Sequence, residues 1–379
     1  MKSLILAGVS ATALLFGGAA FAAPNLTSTI TQSDSGNTAN VNQTLQTDGT
    51  AAAVIDQSGA GNVANITQAG SLADDAPHAT PVHSTSTITQ PGSNDTANTS
   101  QENGHSSIYQ SANYSTADYS QSYSQGGTAD ASDIAQVNGT NDTAYVAQFD
   151  DNASSKVTQR GSYNLANVNQ FNGTSSIDQV GNNQTAYVTQ SGANLSARST
   201  VDQAGGGGNS AYVNQVRDTD GAPYGSTTSV TQDGTSDLAT VYQSGYVADS
   251  KVFQKGQNDV ANVTQTSWYG KSDLKQSGNY DTANVDQAGE SGGSFEVSSI
   301  DQSGTGDTAN VTQSAAHDDS SVWQTGDQNV ADVTQSAAND MSKIVQGGNN
   351  NAAYVSQTNA LASSFVFQTG AYNTASVKQ

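Results

Sequence analysis

No cysteine occurs in the 379 residues, which excludes disulfides, thiolate nucleophiles and cysteine-based metal sites. Basic residues are scarce: 11 Lys and Arg stand against 33 Asp and Glu, a formal net charge of −22. So little positive charge leaves nothing to neutralise a phosphate backbone, so no nucleic-acid partner is expected. The acid is mostly scattered Asp, whose plain consequence is solubility and self-repulsion. Apolar residues reach only 34% even with Ala and Tyr counted, too few for an ordinary globular core. Gly, Ser, Thr, Asn, Gln and Asp take their place. That mixture is either disordered or prone to β-aggregation, and only pattern separates the two.

Long apolar runs are missing too, apart from the first 22 residues. There Lys2 precedes an apolar stretch from Leu4 to Phe16, and Ala20-Phe21-Ala22 forms a small-x-small site before Ala23. Residues 1–22 therefore read as a signal peptide, and no later stretch is long and apolar enough to cross a membrane as a helix. The expected destination is the periplasm or beyond.

What is present is a repeat. The closing segment from Ser364 to Gln379 reads Ser-x-Ile/Val-x-Gln-x-Gly-x-x-Asn-x-Ala-x-Val-x-Gln. The pattern recurs in 15 copies, and its commonest interval is 22 residues. The first Gln of each copy is Gln32, Gln57, Gln90, Gln110, Gln136, Gln159, Gln179, Gln203, Gln232, Gln254, Gln276, Gln302, Gln324, Gln346 and Gln368. The second is Gln43, Gln68, Gln101, Gln121, Gln148, Gln170, Gln190, Gln215, Gln243, Gln265, Gln287, Gln313, Gln335, Gln357 and Gln379. Extra length falls between copies, in insertions near 69–85, 122–131, 216–227 and 288–297.

Within each copy the invariant positions alternate with variable ones, the period of a strand with one face inward. Four residues usually join the two arms, often with Gly in second place, as at Gly161, Gly181, Gly256, Gly278 and Gly304. Gly there is expected to give a tight turn its backbone freedom. All five prolines (Pro24, Pro77, Pro81, Pro91 and Pro223) lie outside the arms, as a hydrogen-bonded ladder demands. One strand–turn–strand unit buries too little to stand alone. Stacking the copies in register solves this, and residues 23–379 are expected to form an all-β, two-sheet parallel β-solenoid (β-helix) of about 15 such repeats.

Ile, Val and Ala fill the middle of that core, but two aliphatic side chains per copy do not offset the entropy of ordering the chain. Stacked amides are the expected supplement, since identical side chains at strand spacing donate to one neighbour and accept from the other. The two Gln columns and an Asn column (Asn37, Asn62, Asn164, Asn209, Asn329, Asn351 and Asn373) are the candidate ladder. In six copies the Asn position holds Asp: Asp95, Asp142, Asp237, Asp259, Asp281 and Asp307. The last four are in consecutive copies. Two readings stand: solvated turn residues accepting a backbone hydrogen bond, or a file of repelling carboxylates that brakes assembly until protons or divalent cations relieve it. Tyr145, Tyr187, Tyr212 and Tyr354, between the inward Ala and Val, are expected on the outer face of the second sheet.

From Gln159 to Gln170 and from Gln368 to Gln379, the motif Gln-x-Gly-x-x-Asn-x-Ala-x-Val-x-Gln resembles the curlin repeat of bacterial curli subunits. The resemblance covers nearly all of the chain after residue 22. It implies a secreted subunit of an extracellular amyloid fibre on the bacterial surface, serving biofilm matrix and adhesion. The partners it implies are further copies of the chain, a nucleator subunit, a periplasmic chaperone and an outer-membrane secretion channel. Copies that run to both ends of the chain favour a principal subunit over a nucleator. The inward Ser stands nearer the first Gln here than in the best-known members, and the copies are more numerous.

Rival classes leave little trace. His78 and His83 share one Pro-bearing insertion, a weak metal signal, while His105 and His317 sit in separate connectors. A calcium-binding β-roll would need Gly-Gly-x-Gly-x-Asp nonapeptides, and a β-helical lyase or hydrolase would need clustered acids or bases on large loops. Neither pattern occurs, so no enzyme activity and no cofactor is expected. The alternative retained is a non-polymerising β-solenoid adhesin or carbohydrate-binding rod.

Overall fold

In the computed structural model the described residues are 25–45, 49–70, 82–102, 104–122, 130–149, 152–192, 196–216, 225–289 and 295–379. The signal-peptide reading, His78 and most of the four insertions lie outside them. The chain forms two compact units, residues 1–163 and 164–379.

The first unit holds β1 (Asn25–Gln32), β2 (Thr38–Leu45), β3 (Gly49–Gln57), β4 (Val63–Gly70), β5 (Val82–Gln90), β6 (Thr96–Gln101), β7 (Gly104–Gln110), β8 (Thr116–Gln121), β9 (Ala131–Thr140), β10 (Thr143–Gln148) and β11 (Ala153–Ser162). Its odd-numbered strands make one sheet and its even-numbered strands the other, in chain order.

The second unit continues with β12 (Leu165–Gln170), β13 (Gly173–Asn182), β14 (Thr185–Ser191), β15 (Arg198–Gly207), β16 (Ser210–Val216), β17 (Thr227–Thr235), β18 (Leu238–Gln243), β19 (Asp249–Gln254), β20 (Val260–Gln265) and β21 (Lys271–Gln276). It ends with β22 (Thr282–Gln287), β23 (Val297–Gln302), β24 (Thr308–Gln313), β25 (Asp319–Thr325), β26 (Val330–Gln335), β27 (Met341–Asn349), β28 (Ala352–Gln357), β29 (Ser363–Ala371) and β30 (Thr374–Lys378). Odd and even strands again separate into two sheets.

Each unit is a two-sheet parallel β-solenoid. Neighbouring strands pair like on like, as Ala283↔Ala309, Val285↔Val311 and Gln287↔Gln313 do between β22 and β24. The period-two pattern explains this register: a slip of one residue would turn Ala, Val and Gln outward. Burial follows the pattern, with Val252, Ala261, Val263 and Leu274 at most 2% exposed. Where a turn carries an extra residue, the strand absorbs it as a bulge. The register shifts at Arg160/Ser162 opposite Gln136-to-Asp142, and at Gly205/Gly207 in the Gly-rich turn before Asn209.

The turn glycines have a different reason from the expected one. Gly161 and Gly181 do adopt positive φ, but Gly256, Gly278 and Gly304 do not; the left-handed residue sits two places later, at Asn258, Tyr280 and Gly306. What excludes a side chain at those three glycines is the next coil, whose backbone passes too close.

Candidate functional site: the inward columns

The first-Gln column is continuous within each unit. In the first, Gln32 Nε2 donates to Gln57 Oε1 at 2.6 Å, and Gln57, Gln90, Gln110 and Gln136 each donate to the following Gln at 2.8–2.9 Å. In the second, Gln179 through Gln346 do the same, with Gln254 to Gln276 at 3.0 Å and Gln346 to Gln368 at 2.9 Å. The amide also has a second role that periodicity did not reveal. Gln254 Nε2 donates across the core to Leu238 O at 3.0 Å, and Gln276 Nε2 to Val260 O at 3.0 Å. One N–H ties coil to coil and the other ties sheet to sheet, which satisfies a group too costly to bury unpaired.

The second-Gln column runs unbroken through the second unit, from Gln170 to Gln190 at 2.8 Å through to Gln357 and Gln379 at 3.1 Å. In the first unit it forms between Gln43 and Gln68 at 2.8 Å and then breaks. Gln68 turns to Ser86 Oγ at 3.2 Å, and Gln101 Oε1 has no hydrogen-bond partner. Tyr119 inserts its hydroxyl instead, donating to Gln148 Oε1 at 2.9 Å and Gln121 Oε1 at 3.2 Å, while Gln121 Nε2 goes to Asp130 Oδ2 at 3.0 Å. The cause is legible in the sequence: Thr99 and Tyr119 stand where other copies have Val or Ile. Burial, reinforced by the charge of Asp130, pushes the Tyr119 hydroxyl pKa upward.

The Asn/Asp column corrects the solvated-turn reading. Asp95, Asp142, Asp237, Asp259, Asp281 and Asp307 are all 0–1% exposed, because the next coil closes over the corner. One carboxyl oxygen does accept a backbone hydrogen bond, from the same position one coil on. Asp259 N donates to Asp237 Oδ1 at 3.1 Å, Asp281 N to Asp259 Oδ1 at 3.0 Å, Asp307 N to Asp281 Oδ1 at 2.9 Å and Asn329 N to Asp307 Oδ1 at 2.8 Å. Asn does the same with its oxygen: Asn37, Asn62 and Asn164 accept from Asn62 N, Asp95 N and Gln184 N. Its nitrogen then reaches turn carbonyls, as Asn209 Nδ2 does to Ala204 O at 3.0 Å and Asn329 Nδ2 to Gly348 O at 2.9 Å. Asn351 and Asn373 add direct amide contacts, each donating to the Asn one coil before at 3.2 and 2.9 Å. Asp has no such donor.

A second buried acid column went unread in the sequence. Glu296, Asp318 and Asp340 lie 0–1% exposed at the corner before β23, β25 and β27. Asp340 N donates to Asp318 Oδ1 at 3.1 Å and Ala362 N to Asp340 Oδ1 at 3.0 Å. Burial raises the Asp318 carboxyl to about 6; the Asp340 N–H opposes the rise and the charges of Asp340 and Glu296 add to it. The signal was parity: each stands two residues before an inward Ser.

The outer faces carry ordered files as well. Asn262, Asn284 and Asn310 each donate to the next position, the last to Asp332, at 2.9, 2.8 and 2.5 Å. Tyr187 and Tyr212 stack at 5.3 Å between ring centroids. At one corner Tyr269 stacks on Phe295 at 4.8 Å and Phe295 on His317 at 5.4 Å. No family model matches the chain, and no curated protein matches it.

Proposed function

We propose that this chain is a structural subunit of an extracellular curli-like fibre, growing by end-to-end stacking and serving biofilm matrix and adhesion. The observation that carries this reading is that the contact growth requires already holds one coil to the next. Ala353 and Val355, with a coil on either side, are 0% and 3% exposed. Their counterparts in β30, Ala375 and Val377, are only half-buried, as are Ala39 and Val41 in β2. The half-covered residues of the first and last coils are thus the same column residues, Ala and Val. A second copy continuing the register would cover them with the same side chains and extend both Gln columns. Such a contact is heterologous and does not close into a ring, so it propagates.

The curlin resemblance supports the same reading and adds the expected partners: a nucleator, a periplasmic chaperone and an outer-membrane channel. Residues 1–22 as a signal peptide would supply the first export step.

The test is quiescent incubation of residues 23–379 at neutral pH, followed by diffraction from aligned material. Fibres with a reflection near 4.7–4.8 Å along the axis and one near 10 Å across it are the expected outcome. A β-rich protein that stays monomeric at high concentration would refute the polymer and leave the rod-like adhesin.

A further inference from the structure

The corner column in the second unit sets four carboxyl groups in consecutive coils, flanked by Asn209 before them and Asn329 after. The Asp oxygens split into two kinds. Each Oδ1 does what an Asn oxygen does, accepting the backbone N–H of the next coil. Each Oδ2 of Asp237, Asp259, Asp281 and Asp307 is buried with no hydrogen-bond partner. In the flanking coils the corresponding atom is the amide nitrogen, which donates to turn carbonyls: Asn209 Nδ2 to Gly234 O at 3.3 Å and Asn329 Nδ2 to Gly348 O at 2.9 Å. An ionised Oδ2 in that place is buried without a hydrogen-bond partner of its own, although at Asp281 the backbone N–H groups of Gly306 and Gly278 also act to hold the carboxyl down.

Nothing nearby supplies the missing positive charge. The strands packed against the column, β17 to β26, turn only Gln, Ala, Val, Ile, Leu, Ser and Thr inward. The ionisable groups on the surrounding turns are Asp233, Lys255, Tyr280 and Asp327, all exposed on the outside of the corner. Of these, Asp327 adds to the repulsion at Asp307.

We propose that Asp237, Asp259, Asp281 and Asp307 are held in the folded coils as neutral carboxylic acids, each donating its Oδ2 proton to a turn carbonyl in the manner of Asn, so that forming this stretch takes up protons from solvent. The bookkeeping is simple: a solvated carboxylate in the unfolded chain plus one proton gives one buried acid and one new O–H···O hydrogen bond. The titration behaviour agrees with the geometry. Burial lifts the Asp259 and Asp307 carboxyls to about 7 and that of Asp281 to about 6, against the lowering effect of the backbone N–H each accepts from the next coil, of the Gly306 and Gly278 N–H groups at Asp281, and of the Asn329 side-chain amide at Asp307. Asp237 is raised for the same reason. Because the folded pKa lies above the unfolded one, the contribution to stability is complete below about 4 and is lost as pH rises through 6 to 7. The second unit is thus a proton-gated stretch set between coils, at Asn209 and Asn329, that need no proton at this corner. The inference does not rest on the fibre reading.

The test compares the full chain with the variant D237N/D259N/D281N/D307N, in which every substituted position takes a residue the neighbouring coils already hold. Two readouts are used: the urea midpoint from pH 4 to pH 8, and the infrared difference spectrum between the two folded proteins at pH 5. The expected result is a wild-type midpoint that falls across that range, a variant that loses much of the fall, and a protonated-acid carbonyl band in the difference spectrum, where acids common to both proteins cancel. Parallel pH profiles with carboxylate bands alone would overturn the proposal. Wild-type stability restored at pH 8 by calcium, with no acid band at pH 5, would also overturn it and put a cation in the proton's place.

Discussion

Gly256 stacks on Gly278 so closely that a Cβ at Gly256 would stand 1.6 Å from the Gly278 carbonyl oxygen. Neither residue needs a left-handed backbone, so the contact itself dictates glycine. Gly256→Ala is expected to force the turn apart at a cost of about 1–3 kcal/mol, the range for overpacking. Gly347→Ala, where the nearest atom to an added Cβ is 3.6 Å away, serves as the tolerated control. Urea denaturation of both variants decides the point: equal stability would mean that the turn relaxes freely.

Gln254 sits mid-column, accepting from Gln232 and donating to both Gln276 and Leu238 O. Gln254→Ala should therefore strand several buried groups, each at a cost of about 1–3 kcal/mol. Gln101→Ala should cost less, because Gln101 already stands outside the file with Oε1 unpartnered. The comparison is made by equilibrium unfolding, and a larger loss at Gln101 would contradict it.

Thr99 is 2% exposed, and its hydroxyl has no partner. Replacing it with Val, the residue most copies use there, removes an unsatisfied group while keeping the shape. The expected gain is about 1 kcal/mol, read as a higher unfolding midpoint. A loss would show that the hydroxyl is satisfied by bound water.

Asp318 extends the acid argument to the other corner. Its carboxyl is raised to about 6 by burial, with Asp340 and Glu296 contributing. Its stabilising effect is full below about 4 and is lost as pH rises through 6. Asp318→Asn should accordingly stabilise the protein at pH 8 and change little at pH 4. The check is the difference in unfolding midpoint between the two proteins at each pH; an equal difference at both would argue against a raised carboxyl.

The strand arms, their parallel stacking and the inward Gln positions were legible because a period of two fixes which face each residue takes. What the sequence hid was everything that depends on the next coil. One of the two readings of Asp237 placed it in solvent because a turn carboxylate is ordinarily hydrated, yet it shares the inward parity of Ala239 and Val241, and the following turn covers it. Glu296 and Asp318 were hidden for a related reason: the repeat was read from the inward Ser onward, although the inward file begins two residues earlier. Tyr119 was visible as a departure from Val, but only packing shows that its hydroxyl breaks the second amide file. The cross-core bond from Gln254 to Leu238 O joins residues 16 apart and has no counterpart in local periodicity.

The double use of each column amide makes copy number a heritable variable. Wherever the files are intact, one N–H is committed to the following coil and the other to the opposite sheet, so both networks are counted in whole copies. Recombination between two repeats would add or remove a complete coil and leave the inward register of the remaining coils unchanged. A single-residue insertion inside an arm would reverse its faces and break both networks at once. Length can therefore drift in integer steps under weak selection, while changes of one or two residues are confined to turns and connectors.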